Sequence, residues 1–471
     1  MTTNAPAAST TTPLRMPQYL GYAAGDAANN LAFSMTSFFL LLYYTDVVGI
    51  AAAAAGTLFL VVRIFDAFAD VFAGRMVDRT MTRWGKFRPF FMFGAVPLML
   101  LSVATFTLPG LASGGWALVL AYLTYGALGL AYSLVNIPYG SLAAAMTQQA
   151  VERGKLASFR MIGVAATIIM LAFVVAPQIR LFADDPAGLQ QSLLVTTLIF
   201  AVVGTALYLY LFRTAKEQVE REVPHVSMRQ SLRTLRSNRP LVMLCLSSLA
   251  FLCGMFTLQT VQAFYAKDVL GNANFIILLT ILSAGAIFVV APAIPTIVRK
   301  VGKKPGFIAF GVVGIVAGIG ISLAPASIPA VSMVFFGLMG VSIAGVNTLM
   351  WALEADTVEY GEWKTGVRTE GITYAMFSFT RKVGQAIGGA AAAYAIGFGG
   401  YVASAPQQSG TALAWISAPA GFLPAAFLLI GVAIFLGYPL TDQKFTELVA
   451  QTRARREAAH AAGRTDTGAG A

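Results

Sequence analysis

The stretch Gly56–Pro89, GTLFLVVRIFDAFADVFAGRMVDRTMTRWGKFRP, sets two carboxylates, Asp66 and Asp70, four residues apart in an otherwise apolar run. At helical pitch that spacing is one turn, about 6 Å, so both point to one face. Arg63, three residues before Asp66, joins that face. The run ends in a loop crowded with Arg75, Asp78, Arg79, Arg83, Lys86 and Arg88. Ionisable groups in the middle of a membrane span are costly and mark an ion or substrate path.

The rest of the chain makes the membrane setting plain. Hydrophobic residues are 57% of the sequence and charged residues 11%, with mean hydropathy +0.72; soluble domains carry about 25% charged residues. For 471 residues, spans of about 20–25 residues plus connections allow around twelve helices. The fold class is therefore all-α integral membrane. A β-barrel is excluded, because the apolar runs greatly exceed about 10 residues and do not alternate.

Helices are expected near 18–44, 51–77, 89–109, 116–147, 156–178, 192–213, 240–266, 273–298, 305–323, 328–359, 371–399 and 411–437. The loops at 78–88, 148–155, 214–239, 299–304 and 360–370 hold most of the loop charge. Those near 110–115, 324–327 and 400–410 contain no Lys or Arg. This asymmetry accounts for the net charge of +11 as a positive-inside pattern, with both termini cytoplasmic, rather than as a nucleic-acid surface. No cleavable signal peptide is evident, and residues 1–17 read as a disordered cytoplasmic tail. Cys245 and Cys253, eight residues apart in one apolar segment, read as small core residues.

The polar stretch 214–239 divides the chain into a six-helix half at 18–213 and another at 240–437, with a cytoplasmic tail over 438–471. A faint repeat crosses it. Tyr44-Thr-Asp46-Val-Val-Gly49 ends the first span and Tyr265-Ala-Lys-Asp268-Val-Leu-Gly271 the seventh, each followed about 35 residues later by a basic turn. Two similar halves with a substrate path between them are a recurring transporter design.

Several residues carry candidate chemistry. Asp66 and Asp70 offer hard oxygen ligands for Na⁺, or one of them holds a proton; the alternative is structural neutralisation by a neighbour such as Arg63. Neither His225 nor His460 lies in a span, which excludes a histidine relay. Asp26 and Asn30 share a face of the first span and suit sugar hydroxyls, or act as interhelical glue. Ser133 and Asn136 precede Pro138, which kinks the fourth span. Arg160 and Lys382 are lone cations that either face substrate or pair with an aspartate. Glu354, Asp356 and Glu359, at the cytoplasmic end of the tenth span, either pair with the basic loops holding Asp78 and Arg79 to close the inner side, or are simply solvated.

The runs YYTDVVG, GTLFLVVRIFDAFAD, GRMVDRT, RWGKFRP, NIPYGSL and DTVEYGEWKTGVRTEG resemble the glycoside–pentoside–hexuronide:cation symporters of the major facilitator superfamily, which include the melibiose permeases. The likeness spans roughly residues 19–437. It implies a fold of two pseudo-symmetric six-helix halves and a cation site at Asp66 and Asp70, with Ser133 at a cation-site threonine. Ala69 departs from the permeases' asparagine. On the sugar side, the resemblance implies Asn30, Asn136 and Gly140 where melibiose permeases carry aspartate, aspartate and tryptophan, and Arg160, Ser378 and Lys382 at other sugar-pocket positions. The NIPYG and EYGEWKTG wording is closer to pentoside, xyloside and glucuronide carriers than to galactoside carriers.

The expectation is thus a monomeric, multi-pass symporter of the bacterial inner membrane. It couples Na⁺ or H⁺ to uptake of a sugar or glycoside, and it has no cofactor beyond the coupling ion and no enzymatic activity. Its partners are a small sugar, a monovalent cation and the lipid bilayer. The competing readings are an uncoupled facilitator, a carrier of lipid-like substrates and, from another class, an intramembrane aspartyl hydrolase. The last needs aspartates facing one another across two helices, whereas Asp66 and Asp70 share one.

Overall fold

The structure, a computed structural model, describes residues 14–147, 150–217, 238–365, 370–403, 405 and 407–466. The first thirteen residues of the expected N-terminal tail, most of the expected central loop and the side chain of Asp78 lie outside the described residues.

All twelve expected spans are helical. They are α1 (Met16–Leu42), α2 (Ala52–Arg79), α3 (Arg88–Thr105), α4 (Gly115–Met146), α5 (Ala150–Leu181) and α6 (Pro186–Thr214). Then follow α7 (Arg239–Phe264), α8 (Phe275–Val301), α9 (Lys303–Leu323), α10 (Pro329–Thr365), α11 (Glu370–Phe398) and α12 (Gly410–Leu436). Helices α8 and α12 are each broken, around Gly285 and at Gly421. Among the described residues ten helices are long and apolar enough to cross a bilayer. The two that fall short, α1 and α11, have 27 and 29 residues; polar side chains, not length, lower their hydropathy.

Helix starts follow local chemistry. Proline opens α3, α6 and α7 within the first turn, where its missing N–H costs nothing. The side chains of Asp185, Asn238 and Ser409 accept the first-turn N–H groups of Gly188, Leu241 and Ala412 at 2.9, 3.1 and 3.1 Å.

Packing repeats between the halves. Helix α1 packs on α5 and α6, α3 on α4 and α6, and α2 on α4; correspondingly α7 packs on α11 and α12, α9 on α10 and α12, and α8 on α10. The sets meet through α1 with α7, α2 with α11 and α5 with α8, which are related by the same exchange. The YYTDVVG and YAKDVLG repeat is structural too. Tyr43–Val47 and Tyr265–Val269 are single π-helical turns. Each ends at a glycine of positive φ, Gly49 at 78° and Gly271 at 70°, a conformation that a Cβ disfavours.

Glycine also sets how closely the helices approach. A Cβ on Gly384 would meet Leu252, and one on Gly388 would meet the carbonyl oxygen of Cys253, so α11 lies backbone to backbone on α7. Thr257 Oγ1 bridges the seam, donating to the carbonyls of Cys253 (2.7 Å) and Gly388 (3.1 Å).

Three boundaries differ from expectation. Helix α5 begins at Ala150, taking in most of the expected 148–155 loop, and α10 runs on to Thr365. The tail over 438–471 is largely a thirteenth helix, α13 (Asp442–Asp466). Its charged sequence gives no membrane signal, but it docks on the end of α10. Trp363 Nε1 donates to Gln451 Oε1 (2.8 Å), Arg455 Nη1 donates to the Trp363 carbonyl (3.0 Å), and Asp442 accepts the Lys303 N–H at 3.0 Å.

Replacing Gly388 by Leu should force α11 from α7 and lower the melting temperature in detergent by several degrees, with Gly388→Ala intermediate. A thiol-reactive dye reads this directly, because Cys245 and Cys253 are free and buried. An unchanged melt for the leucine variant would contradict the packing.

Candidate functional site

Between the two helix sets lies a central cavity of about 130 Å³. From the first set Asp26, Asn30, Asn136, Gly140 and Arg160 line it, and from the second Ser378 and Lys382. All seven residues expected on the sugar side therefore share one cavity. Arg63 lines it as well.

The polar side chains of α1 are ordered by one-turn contacts. Asn30 Nδ2 donates to the Asp26 carbonyl (2.8 Å), and Ser34 Oγ donates to Asn30 Oδ1 (3.0 Å). Asp26, only 2% exposed, accepts from Arg160 Nε of α5 at 3.2 Å. Neighbouring Asn29 points away from the cavity group and accepts from Tyr208 at 2.6 Å.

Beneath this layer are the paired aspartates. Asp66, 2% exposed, accepts from Arg63 Nη1 on its own helix at 2.7 Å; Arg63 Nη2 donates to Tyr125 at 2.7 Å. Asp70 is paired with Lys382 of α11, tying the two sets together. Each carboxylate thus has one oxygen committed to a cation. The other two oxygens, Asp66 Oδ1 and Asp70 Oδ1, are buried without a hydrogen-bond partner among the described residues, as is Ser133 Oγ. Asp66 Oδ1 lies against Gly129, where a Cβ would collide with it. Ser133 is one turn further along the same face of α4. Such orphaned oxygens are uncommon in packed interiors.

Sequence reasoning did not single out Phe33, Tyr132, Asn347, Trp351, Arg381 and Gln385, which also line the cavity. Phe33 and Tyr132 stack with ring centroids 5.5 Å apart, and Gln385 Nε2 donates to Ser37 across the two sets at 3.2 Å. Arg381 was legible as a charge beside Lys382. The others look like ordinary span residues until packing turns them inward.

At the end bearing the basic loops, one of the expected inner-side acids, Asp356, has a different partner. Asp356 is held by Lys303 Nζ at 2.7 and 2.5 Å, within the second set, instead of by the 78–88 or 148–155 loops. Lys303 opens α9 beside the end of α10, so it is the nearer cation. Glu354 and Glu359 lie in the same last turns of α10, and Arg79 is exposed at the end of α2. The loop after α2 is instead clamped by Glu217, whose carboxylate accepts the backbone N–H groups of Lys86, Phe87 and Arg88 at 2.9, 2.8 and 3.3 Å.

At the opposite end Asp46, in the first π-turn, is paired with Lys267 in the second. Tyr401 donates to both Asp46 oxygens (2.9 and 3.0 Å) and accepts from Lys267 (3.0 Å). Thr57 and Tyr394 join α2 to α11 nearby, at 2.9 Å.

Removing Arg160 alone strands a buried carboxylate. Arg160→Met should cost about 3–5 kcal/mol, and adding Asp26→Leu should restore much of the loss. Dye-monitored melts of the two single variants and the double variant test this; strictly additive losses would show that the pair is not coupled.

The comparisons with known proteins agree with this architecture. The family described as "MFS/sugar transport protein" matches residues 21–442. A relative from Escherichia coli (strain K12), "Glucuronide carrier protein homolog", is 45% identical over 442 residues, 93% of this chain and 95% of the relative. The "Isoprimeverose transporter" of Lactiplantibacillus pentosus is 33% identical over 397 residues, 82% of this chain and 81% of the relative. Among solved structures, a bacterial homolog of the human lysosomal transporter Spinster superposes with TM-score 0.64 at 12% identity, covering 91% of this chain and 98% of that one. That likeness speaks to the fold alone.

Proposed function

The chain belongs to the MFS/sugar transport protein family and is a membrane transporter, not an enzyme; from that premise we propose that it is a cation-coupled sugar symporter of the glycoside–pentoside–hexuronide group. The observation that carries the reading is the Asp70–Lys382 pair, since it joins the carboxylate layer to the sugar cavity in one contact.

The coupling cation, Na⁺ or H⁺, is received by the unpartnered oxygens of Asp66 and Asp70, with Ser133 Oγ as a third donor; carboxylate and hydroxyl oxygens suit a hard ion. A positive charge beside Asp70 weakens its hold on Lys382, whose ammonium then donates to substrate in the cavity. Lys382 thus cannot serve Asp70 and the sugar fully at once, and the cation decides which. Because coupling is reciprocal, a sugar that engages Lys382 raises cation affinity by the same factor.

The substrate rests between Asp26, Asn30, Asn136 and Arg160 on one side and Ser378 and Lys382 on the other; Gly140 contributes no side chain to the wall. A ligand touching both helix sets favours the conformation in which they close around it. Alternating access then exchanges the Asp46–Lys267–Tyr401 contact for contacts at the basic end. The division into six-helix halves at 18–213 and 240–437, the cytoplasmic termini, the bacterial inner membrane and a monomeric state complete the proposal. Pentosides, xylosides and glucuronides fit better than galactosides, a reading supported by the glucuronide and isoprimeverose names of the two relatives.

Sealed membrane vesicles containing the protein, given a labelled sugar panel under an imposed Na⁺ gradient and separately under a pH gradient, should accumulate substrate above the outside concentration under at least one. Asp66→Asn should reduce that accumulation to simple equilibration while the protein still inserts. Wild-type uptake that only ever equilibrates would make the protein an uncoupled facilitator, with the Arg63–Asp66 and Lys382–Asp70 pairs serving structure.

A further inference from the structure

The cavity wall holds four cationic side chains, Arg63, Arg160, Arg381 and Lys382. Asp66, Asp26 and Asp70 answer Arg63, Arg160 and Lys382 respectively. Arg381 has no carboxylate partner among the described residues. Its guanidinium stands 5.9 Å from the centroid of the Phe33 ring, which itself stacks on Tyr132. A ring face softens the cost of an inward-facing charge but does not neutralise it. An arginine does not escape by losing its proton, and an uncompensated cation at membrane depth is expensive. The other polar side chains described on the wall, among them Asn30, Asn136, Asn347, Ser378 and Gln385, are neutral. They can serve hydroxyls but supply no counter-charge.

We propose that Arg381 receives an acidic group on the substrate, so that the transported sugar is an anion, a uronate or a sugar sulfonate, and not a neutral glycoside. This rests on the sugar-transport reading above and narrows it. The planar fork of a guanidinium matches a carboxylate in two parallel hydrogen bonds and also suits sulfonate oxygens. Helix geometry supports the placement: Ser378 lies three residues before Arg381 on α11, so a hydroxyl-binding group and the anion-binding group share one wall.

The charge balance agrees with cation coupling. Among the described residues three carboxylates face four cations, leaving one positive charge in excess in the site. A monovalent coupling ion raises that excess, and a monoanionic sugar cancels the rise. Empty and loaded forms then carry the same buried charge through the conformational change, so uptake of the acid sugar moves no net charge across the membrane.

The test pairs each acid with its neutral counterpart, a glucuronide with the matching glucoside and a sulfonated glucoside with its hydroxymethyl equivalent. Binding to purified protein and uptake into vesicles are both measured. Wild type should favour the acids. Arg381→Gln should weaken acid binding about 30-fold or more, the loss expected when one member of a buried charged pair is truncated, and leave neutral sugars within about twofold. Arg381→Lys should restore part of the acid binding, and dye melts confirm that both variants fold. Acid uptake by wild type should be unaffected by an imposed membrane potential. Preference for neutral sugars, failure to bind any acid, or equal losses for acid and neutral sugars in Arg381→Gln would overturn the inference. Gradient-driven accumulation of a neutral sugar would still leave the transport reading intact in those cases.

Discussion

Charge placed in the middle of a bilayer has to be answered by opposite charge nearby, and the central architecture follows from that constraint. Three aspartates on α1 and α2 meet cations from α2, α5 and α11. Two of those pairs lie within the first helix set and make it a unit. The third spans the sets, so the contact most able to respond to a bound ion is also one that holds the molecule together. A buried pair of this kind adds little net stability, because desolvation offsets most of the attraction. On the proposed symport reading, its value lies in having a second arrangement, with Lys382 turned to substrate.

The fold was largely legible in the sequence because each of its signals is local. Length and hydropathy mark a span, loop lysines and arginines mark a side, and Asp66 and Asp70 declare a shared face by spacing alone. The repeat was faint as letters, yet it resolved into matching π-turns, since Gly49 and Gly271 impose the same left-handed exit. What could not be read were partners set by tertiary packing. Nothing near residue 382 announces residue 70, and nothing near residue 217 announces the loop it clamps. Tyr125, Asn347 and Trp351 resemble any other span residues until rotation about the helix axis turns them inward. Asp356 was correctly seen as a charge in search of a partner, but its partner came from the adjoining helix and not from across the molecule.

The C-terminal helix shows a different limit. Its sequence is polar, so hydropathy is silent about it, and its docking rests on a few specific groups: an indole N–H, a guanidinium and one carboxylate reaching the start of α9. Together with Glu217 these contacts brace the chain at the basic end.

The Asp46–Lys267–Tyr401 cluster departs from the symmetry around it. Aligned turn on turn, Lys267 corresponds to Thr45 and Asp46 to Asp268, so an ideal twofold arrangement would produce the lysine–aspartate contact twice, once on each side of the axis. The threonine removes one copy. Among the described residues the rim is therefore fastened like a door with a single bolt: opening it breaks one lysine–aspartate contact instead of two, beside uncharged helix faces such as Gly56 against Ala393.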